Sequence, residues 1–569
     1  MRWLGRIVKL MTFTAPAPEP GPGAGENEGA GGQKQGGTAG GGSPRPKPGA
    51  SFAPDEVLRQ KLPLLRALED NAAVLRRVFR VPQNKDLVMR EFTLNTGPPL
   101  RALALFYDGM TDKMVQDMAV FQPLMLLAGL RGRGASRVLE KIIETLLPGN
   151  QVETVSNFRD LVDGVLEGST ALVFDGIDKA LIVETKGYDY RAVDKPSVEA
   201  VVRGPQEAFT ENFRTNTALV RRILRAPELV TEILQVGRVG RTFVAVMYLD
   251  GIANPRVVEE VRRRISSVKT DFVNDSGLLE QFIEDAPLGL APQTLATERP
   301  DRVAANLAEG RVAILVGGSP FALVVPATFY SVFQTAEDAY VRWPFGSALR
   351  LVRFLGLMAA LFLPGVYVAI SGYHHEMIPT DLLVAMTGSR ERVPFPTVVE
   401  MLTMDIAFEL IREAGVRIPG TVGTMLGIVG ALILGQAAVA ANIVSPIVII
   451  IVAMTAIGSF AIANYSLSLS IRYLRFVYTL LGAFLGFYGM VLGVFLHVSL
   501  LANMRSFGVP YLAPAAPEGR TGPDLILRGP AWKQEVRPGD IDPLKERRQP
   551  PLSRGWLLRR RKGGRDAGR

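Results

Sequence analysis

Residues 349–371, LRLVRFLGLMAALFLPGVYVAIS, and residues 476–501, FVYTLLGAFLGFYGMVLGVFLHVSLL, are the stretches that decide the fold. Each offers the ~20 mostly apolar residues that a helix needs to cross a bilayer, and so do residues 421–441 and 443–463. These four predicted spans lie within residues 346–503. We therefore predict an α-helical multispan membrane domain in this late part of the chain.

The residues before this domain have a different pattern, in which strand-like and helix-like stretches alternate. Such alternation predicts a soluble α/β region over residues 52–345, with two subdomains near 52–190 and 191–345. The clearest strand signals are 100–107, 171–174, 179–185, 242–249 and a hairpin over 311–325. Helical spacing is clearest over 55–78 and 256–268.

The two ends of the chain are polar extensions. Residues 1–51 are rich in Gly and Pro and are predicted to be disordered. The basic tail, residues 504–569, holds 15 Lys and Arg against 7 Asp and Glu, which accounts for most of the net charge of +9. Such a tail beside a membrane is more often an orientation signal or an anionic-lipid contact than a nucleic-acid site, and we expect no nucleic-acid partner. Residues 1–10 are basic without a secretory apolar core, so we expect the soluble region to be cytoplasmic.

The composition excludes several kinds of chemistry. The sequence contains no cysteine and only three histidines, His374, His375 and His497. Disulfides, thiolate metal sites and an ordinary zinc centre are thereby excluded. No phosphate-binding loop or nucleophile motif is present either. We predict that the protein is not an enzyme, with no catalytic residue, no metal and no cofactor.

Two polar motifs stand out in the soluble region, at 203–216 and 297–301. One hypothesis is that Arg203, Glu211 and Arg214 bind a small zwitterion, because its carboxylate and ammonium groups need opposite charges at close range. The other is an ordinary salt-bridged helix start. The full set of candidate residues in these motifs is Arg203, Gly204, Glu211, Arg214, Asn216, Glu298, Arg299 and Asp301.

A charged segment, residues 394–417, interrupts the membrane block. On a helical wheel Asp405, Glu409, Arg412 and Glu413 share one face, opposite apolar residues. Acidic groups at membrane depth usually face water, a partner or an ion path, so Glu400, Asp405 and Glu409 are candidates for lining a cation passage. The alternative is an interfacial or re-entrant helix that keeps these acids in water. Candidate pore or coupling residues are Glu400, Asp405, Glu409, Arg412 and Glu413.

The last predicted span contains glycines at spacings of four, three and four. Gly482, Gly486, Gly489 and Gly493 would form a narrow stripe along one helix. Small residues allow helix backbones to approach closely in membranes. We predict a helix-packing contact at this stripe, either within the chain or between subunits.

Many ordered segments carry a resemblance to a known family. They are 203–205 (RGP), 209–212 (FTEN), 283–285 (IED), 297–301 (TERPD), 309–314 (EGRVAI), 319–321 (SPF), 394–396 (PFP), 409–415 (ELIREAG), 428–430 (IVG), 435–439 (GQAAV) and 510–514 (PYLAP). Over residues 52–537 the chain resembles the A subunit of the GerA-type spore germinant receptors, a family that also includes the stage V sporulation protein AF.

The resemblance implies a nutrient receptor subunit in the inner membrane of the spore, with the soluble region on the core side. It implies a permease-like B subunit and a lipoprotein C subunit as partners, and an A subunit that oligomerises and forms or gates a cation channel. A non-conducting scaffold of the stage V sporulation protein AF type is the alternative. Soluble region and basic tail on one side require an even number of crossings. The four strong spans satisfy this, whereas a fifth span at 395–411 would not.

Overall fold

The computed structural model describes residues 54–94, 99–126, 139–147, 151–187, 195–417, 430, 433–518 and 524–550. The chain divides into two compact units, which are described separately below. The first consists of Met1–Ala192 and Arg214–Ile233, and the second of Val193–Phe213 and Leu234–Arg569. The predicted extension 1–51 lies outside the described residues.

A five-stranded antiparallel sheet forms the centre of the first unit, in the order β1-β2-β4-β5-β3. Its strands are β1 (Leu87–Leu94), β2 (Leu100–Tyr107), β3 (Val152–Val155), β4 (Thr170–Phe174) and β5 (Ala180–Val183). Successive side chains point to opposite faces of a strand, and both faces are covered here: Leu103 and Leu105 join one apolar cluster, Ala102 and Ala104 the other. The predicted strands at 171–174 and 179–185 are confirmed, and they pair with each other.

The helical elements in this part of the chain are mostly short. They are α1 (Pro54–Arg59), α2 (Leu68–Val78), α3 (Lys113–Gln116), a π-helix (Asp117–Phe121), α4 (Gln122–Leu126), a second π-helix (Ile142–Leu146), α5 (Phe158–Leu166) and α6 (Phe213–Ile223). The predicted single helix over 55–78 is wrong. The chain turns extended at Pro63, which bridges to Asn157, because proline lacks the N–H that an interior helical position donates.

The second sheet also has five strands, in the order β6-β7-β9-β10-β8. They are β6 (Leu229–Val236), β7 (Thr242–Leu249), β8 (Leu295–Thr297), β9 (Val312–Val316) and β10 (Ala322–Val325). The predicted hairpin over 311–325 is confirmed by the antiparallel pairing of β9 with β10. The predicted α/β region is therefore present, and the structure shows that its two sheets are antiparallel.

Five helices accompany this sheet: α7 (Pro255–Ser267), α8 (Ser276–Ile283), α9 (Pro300–Glu309), α10 (Phe329–Phe333) and α11 (Glu337–Tyr340). Helix α9 starts at a proline, whose fixed φ suits the first helical position. It ends at Gly310, which has φ of +107°. A Cβ there would lie 3.2 Å from Pro543, so glycine is needed both for the cap and for the approach of the C-terminal residues.

Helices make up the region between the second sheet and the tail. They are α12 (Trp343–Tyr373), α13 (Thr380–Arg390), α14 (Thr397–Arg417), α15 (Pro446–Phe460) and α16 (Tyr465–Asn503), and residues 433–440 are also helical. Among the described residues, α12 and α16 are long and apolar enough to cross a membrane. The predicted span 349–371 lies inside α12. Much of 421–441 lies outside the described residues, and 443–463 contains only the 15-residue α15.

Helix α16 is not one straight span. At Gly486 the backbone has φ of +58° and ψ of −142° and leaves the helical conformation. A Cβ on Gly489 would lie 2.3 Å from the carbonyl oxygen of Leu481, and one on Gly493 would lie 2.6 Å from the Leu481 side chain. Residues this far apart along a straight helix do not touch. The chain therefore folds back at Gly486, and the prediction of a single span over 476–501 is corrected to two antiparallel arms, 465–485 and 487–503.

Both arms begin or end beside the second α/β subdomain. Ser470, near the start of the first arm, donates a hydrogen bond to the carbonyl of Leu290. Met504, just after the second arm, packs with Ala286 and Tyr511. The reversal instead lies against Tyr373, at the other end of α12. The two arms thus run out from the subdomain and return to it.

Candidate functional site

A buried carboxylate joins the second α/β subdomain to the first long apolar helix. Asp338 of α11 is 0% exposed. Its oxygens accept hydrogen bonds from Arg353 Nη2 at 2.7 Å and from Arg350 Nε at 2.8 Å. Burial alone would raise the pKa of Asp338, but the two guanidinium groups outweigh it and hold this pKa below its ordinary value. Asp338 is therefore an ionised anchor for α12.

The C-terminal residues bind to the same place. Asp524 pairs with Arg350. Arg528 donates hydrogen bonds to the carbonyls of Asp338 and Ala339 in α11 and of Val341 in the link between α11 and α12. We call Asp338, Arg350, Arg353, Asp524 and Arg528 the junction cluster. It ties three parts of the second unit together through charge-assisted hydrogen bonds.

The motif at 297–301 holds residues 198–205, a segment near the start of the second subdomain. Glu298 accepts hydrogen bonds from the backbone N–H groups of Val198 and Glu199 at 2.6 and 2.7 Å. Arg299 donates to the carbonyls of Glu199 and Pro205 and to Asp301. These three motif residues are buried. The motif therefore anchors residues 198–205.

The same motif also reaches α11. Tyr340 donates a hydrogen bond to Asp301, and burial followed by this carboxylate raises the pKa of Tyr340 to about 12. The Tyr340 ring lies against Gly204, where a Cβ would come within 2.4 Å of it. Only glycine fits at that contact. A chain of contacts thus runs from Gly204 through Tyr340 and α11 to Asp338.

The structure divides the candidate residues of the soluble region between the two units. Arg214 and Asn216 belong to the first unit, where Arg214 pairs with Asp86 and Asp108 at 3.3 Å. The other members, Arg203, Gly204, Glu211, Glu298, Arg299 and Asp301, belong to the second unit. The zwitterion site formed by Arg203, Glu211 and Arg214 remains a hypothesis.

A second buried charge network lies between α14 and the first arm of α16. Asp405 is 0% exposed, and its Oδ2 lies 3.5 Å from Arg475 Nε. Glu409 pairs with Arg472, with Arg475 at 3.2 Å and with Arg412 at 3.8 Å. We call these five residues the bundle network. Two carboxylates and three guanidinium groups leave it with a formal charge of +1.

The remaining candidates of this segment have different surroundings. Glu400 is 1% exposed and accepts a hydrogen bond from Ser445 N–H at 2.8 Å, while Arg390 lies 3.4 Å from its other oxygen. Glu413 is exposed. Glu400 therefore belongs to a contact with the start of α15 that is separate from the bundle network.

Two large apolar side chains of α14 face outward. Ile406 is 52% exposed and Leu410 is 66% exposed, while Met401 and Met404 are buried with α12 and α15. A helix in water shows the reverse pattern, with charges outside. The expectation of an interfacial helix that holds its acids in water is not what the structure shows, because Glu400 and Asp405 face neighbouring helices.

The four glycines of α16 serve the reversal and its packing. Gly482 lies against Gly365 of α12, where a Cβ would be 2.5 Å from the carbonyl oxygen. At Gly486 the broken helix ends have partners: Tyr373 donates to the carbonyl of Ala483 at 2.9 Å, and Phe487 N–H donates to His374 Nε2 at 3.3 Å. With Gly489 and Gly493 between the arms, the glycines pack within the chain rather than along one straight helix.

Sequence reasoning missed the partners of these acids. Four of the partners are absent from the predicted site residues: Arg350, Arg353, Arg472 and Arg475. Each pair has a spacing of three, which places both members on one helix face. That spacing was the available signal. Asp338 carried no signal of its own.

Among the described residues, no group of three or more His, Asp or Glu side chains is arranged to hold a metal ion.

These features define the class of the protein. It has an α/β region with two antiparallel sheets and an apolar helical region. Buried charge pairs join α11 of the second subdomain to α12 of the helical region. Comparison with known families identifies it further. The model of the Bacillus/Clostridium GerA spore germination protein family matches residues 74–539. The chain belongs to this family, and membership associates it with spore germination.

Two spore germination proteins agree with this assignment. Spore germination protein KA of Bacillus subtilis is 40% identical over 84% of this chain and 89% of its own. Spore germination protein GerLA of Bacillus cereus is 38% identical over 76% of this chain and 87% of its own. The crystal structure of the N-terminal domain of the A subunit of the Bacillus megaterium spore germinant receptor GerK3 is 34% identical, covers 47% of this chain and 97% of its own, and has a TM-score of 0.37.

Proposed function

We propose that this protein is the A subunit of a spore germinant receptor. Its family membership over residues 74–539 and its similarity to spore germination protein KA support this role. In this proposal it works with a permease-like B subunit and a lipoprotein C subunit, and it forms homo-oligomers in the spore inner membrane. Its task is to form or gate a cation channel when the complex senses a nutrient.

In the proposed membrane topology, helix α12 leads away from the soluble side, α14 and α15 each run back towards it, and the two arms of α16 lead out and back. Glu409 of α14 pairs with Arg472 near the soluble end of the first arm, which supports this direction for α14. In this arrangement residues 524–550 lie on the side of the second subdomain, where they bind. Arg412, Arg472 and Arg475 then lie towards the cytoplasmic side, as the positive-inside rule expects.

The observation that carries the proposal is the buried pairing of Asp338 with Arg350 and Arg353. A soluble subdomain can act on a membrane helix only through a connection that resists bending. Three charge-assisted hydrogen bonds to a fully buried carboxylate provide such a connection. We propose that movement of residues 198–205, held by Glu298 and Arg299, reaches α12 through Tyr340 and Asp338.

The bundle network has a gating role in this proposal. Its acids are paired with arginines of the same chain, which favours a locked state over an open passage lined by free carboxylates. Breaking a buried pair by removing one partner costs about 3–5 kcal/mol, which is enough to hold one conformation. Asp405 and Glu409 are thus proposed to control conduction by exchanging partners.

The test is the replacement of Glu409 with Gln in spores. We expect altered nutrient-triggered cation release with unchanged recovery of the assembled complex. The control is Glu413→Gln, which removes an acid of the same helix that is exposed. Ion release in assembled Glu409→Gln spores that matches the wild type would contradict a gating role.

A non-conducting scaffold, as in the stage V sporulation protein AF branch, is the second candidate. The arginines beside Asp405 and Glu409 favour it, because a network in which each acid lies next to an arginine also suits a purely structural helix bundle. A scaffold predicts that bulky replacements at Gly482 abolish complex recovery while charge changes in the network leave ion release unchanged. The Glu409→Gln experiment therefore separates the two functions.

A further inference from the structure

The C-terminal residues 524–550 form a strap across the second subdomain. The strap begins at the junction cluster and continues over α9, where Arg537 donates to the carbonyl of Ala308 at 2.9 Å and Arg548 lies 3.8 Å from Glu309. Leu544 N–H then donates to the carbonyl of Ile252 at 2.9 Å. The strap thus contacts the link between α11 and α12 near one end and Ile252 of the second subdomain near the other.

Polar contacts hold the strap, with little apolar burial. Ile541 is 1% exposed, but Leu527 is 62% and Leu544 59% exposed. A cavity of about 310 Å³ lies between the strap and α9, with charged walls that include Glu309 and Asp540. A segment attached mainly by hydrogen bonds and ion pairs, with little apolar burial, opens at a lower free-energy cost than a packed core element. Salt screens its more exposed ion pair, Arg548 with Glu309.

The start of the strap is attached directly to α12. Ser347, on the second turn of α12, donates to the carbonyl of Arg528 at 2.9 Å and accepts from its N–H at 3.0 Å. Arg350 is shared, since it contacts Asp338 on one side and Asp524 on the other. Release of the strap would remove one of the two anionic partners of Arg350 and the hydrogen bonds that fix the α11–α12 link.

We propose that the strap is a releasable clamp that stiffens the junction between the second subdomain and α12. With the strap bound, α12 follows the subdomain as one body. With the strap released, α12 keeps its contacts with Asp338 and Phe333, and the connection loosens. The link to germination rests on the proposed function, whereas the clamp itself is a physical property of the isolated protein.

The first experiment measures hydrogen exchange of the full chain in lipid nanodiscs. The variants Asp524→Asn and Arg528→Gln each remove strap contacts, and Arg547→Gln is the matched control because it removes one charge from an exposed strap residue. We expect exchange of residues 524–550 to accelerate about tenfold or more in the two variants and with added salt, and to stay unchanged in the control. Exchange of residues 343–353 should accelerate in the same two variants.

Two results would overturn the clamp. One is wild-type exchange of the strap in both Asp524→Asn and Arg528→Gln. The other is a released strap with unchanged exchange at 343–353, which would show that the strap does not stiffen α12.

The second experiment measures nutrient-triggered cation release from spores that carry the same variants. A several-fold loss in Asp524→Asn and Arg528→Gln, with a normal response in Arg547→Gln, is expected. A normal response despite a strap shown to be released would overturn its role in coupling. If spores with the unaltered chain give no nutrient-triggered release, the proposed receptor function fails, and the exchange experiment still decides the clamp.

Discussion

The phenolic oxygen of Tyr478 lies 3.1 Å from Nδ1 of His497. In a straight α-helix, the 19 positions that separate them would place these residues roughly 28 Å apart. The contact therefore depends on the reversal at Gly486, and it joins the two arms of α16 near their middle. Each of these polar groups finds its partner across the arms instead of in lipid, where an unpaired polar group is costly.

The reversal predicts where residues of α16 are accessible. Because the chain has no cysteine, single cysteines can be introduced at Glu259, Tyr488 and Ala502 without background. We expect an impermeant maleimide to label Tyr488→Cys from the membrane face opposite to the soluble region. Ala502→Cys should be labelled from the same face as Glu259→Cys. A straight final span would put Ala502 on the opposite face, so labelling there would contradict the hairpin.

Gly486 should be the least replaceable glycine of α16. Its φ of +58° with ψ of −142° lies in a region that is open almost only to glycine. A Cβ would also lie 3.0 Å from His374 Nε2. We expect Gly486→Ala to lower the free energy of unfolding by about 1–3 kcal/mol, measured by thermal unfolding in nanodiscs. Gly388→Ala on α13, where a Cβ meets nothing within 4 Å, is the control and should be neutral or slightly stabilising.

The reversal also shows what sequence patterns can and cannot reveal. Hydropathy measures apolarity but not direction, so two arms and an apolar turn such as Leu485-Gly486-Phe487 resemble one long span. The strands β4 and β9 were predictable because continuous apolar runs bounded by Asp-Gly or Gly-Gly turns are strong local signals. In contrast, β1 carries Arg90 and Glu91 in its centre, which hides its strand character.

The charge networks could not be predicted for a related reason. The sequence places Asp405 and Glu409 on one helix face, and this part of the candidate site follows from helical periodicity alone. Their partners are far away along the chain: Glu409 is 63 residues from Arg472 and 66 from Arg475. Which arginine meets which acid is decided by how the helices pack, and a single sequence contains no local record of that.

Neutralising the anchor of the junction should destabilise the protein strongly. Asp338→Asn leaves Arg350 and Arg353 buried beside an uncharged amide. Removing one partner of such a buried pair costs about 3–5 kcal/mol. We expect a lower unfolding midpoint of the second unit and faster hydrogen exchange in α12. Asp381→Asn, which changes an exposed acid on α13, is the control. Equal midpoints for the two variants would show that Asp338 is not an energetic anchor.

The second subdomain should lose stability as the pH rises through neutrality, because of Glu284 at the end of α8. Burial first, and then the nearby charge of Glu280, raise the pKa of Glu284 from 4.5 to about 7. The folded protein therefore binds this proton more tightly than the unfolded chain does. The resulting stabilisation is complete below pH 4.5 and is lost as the pH rises through about 7.

Glu284→Gln cannot ionise, so it should be more stable than the wild type at pH 8 by roughly 1–3 kcal/mol, and the difference should shrink at pH 5. Thermal unfolding of the full chain at both pH values measures this, with Glu56→Gln, an exposed acid, as the control. A pH dependence that is the same in Glu284→Gln and in the wild type would mean that Glu284 does not titrate in this range.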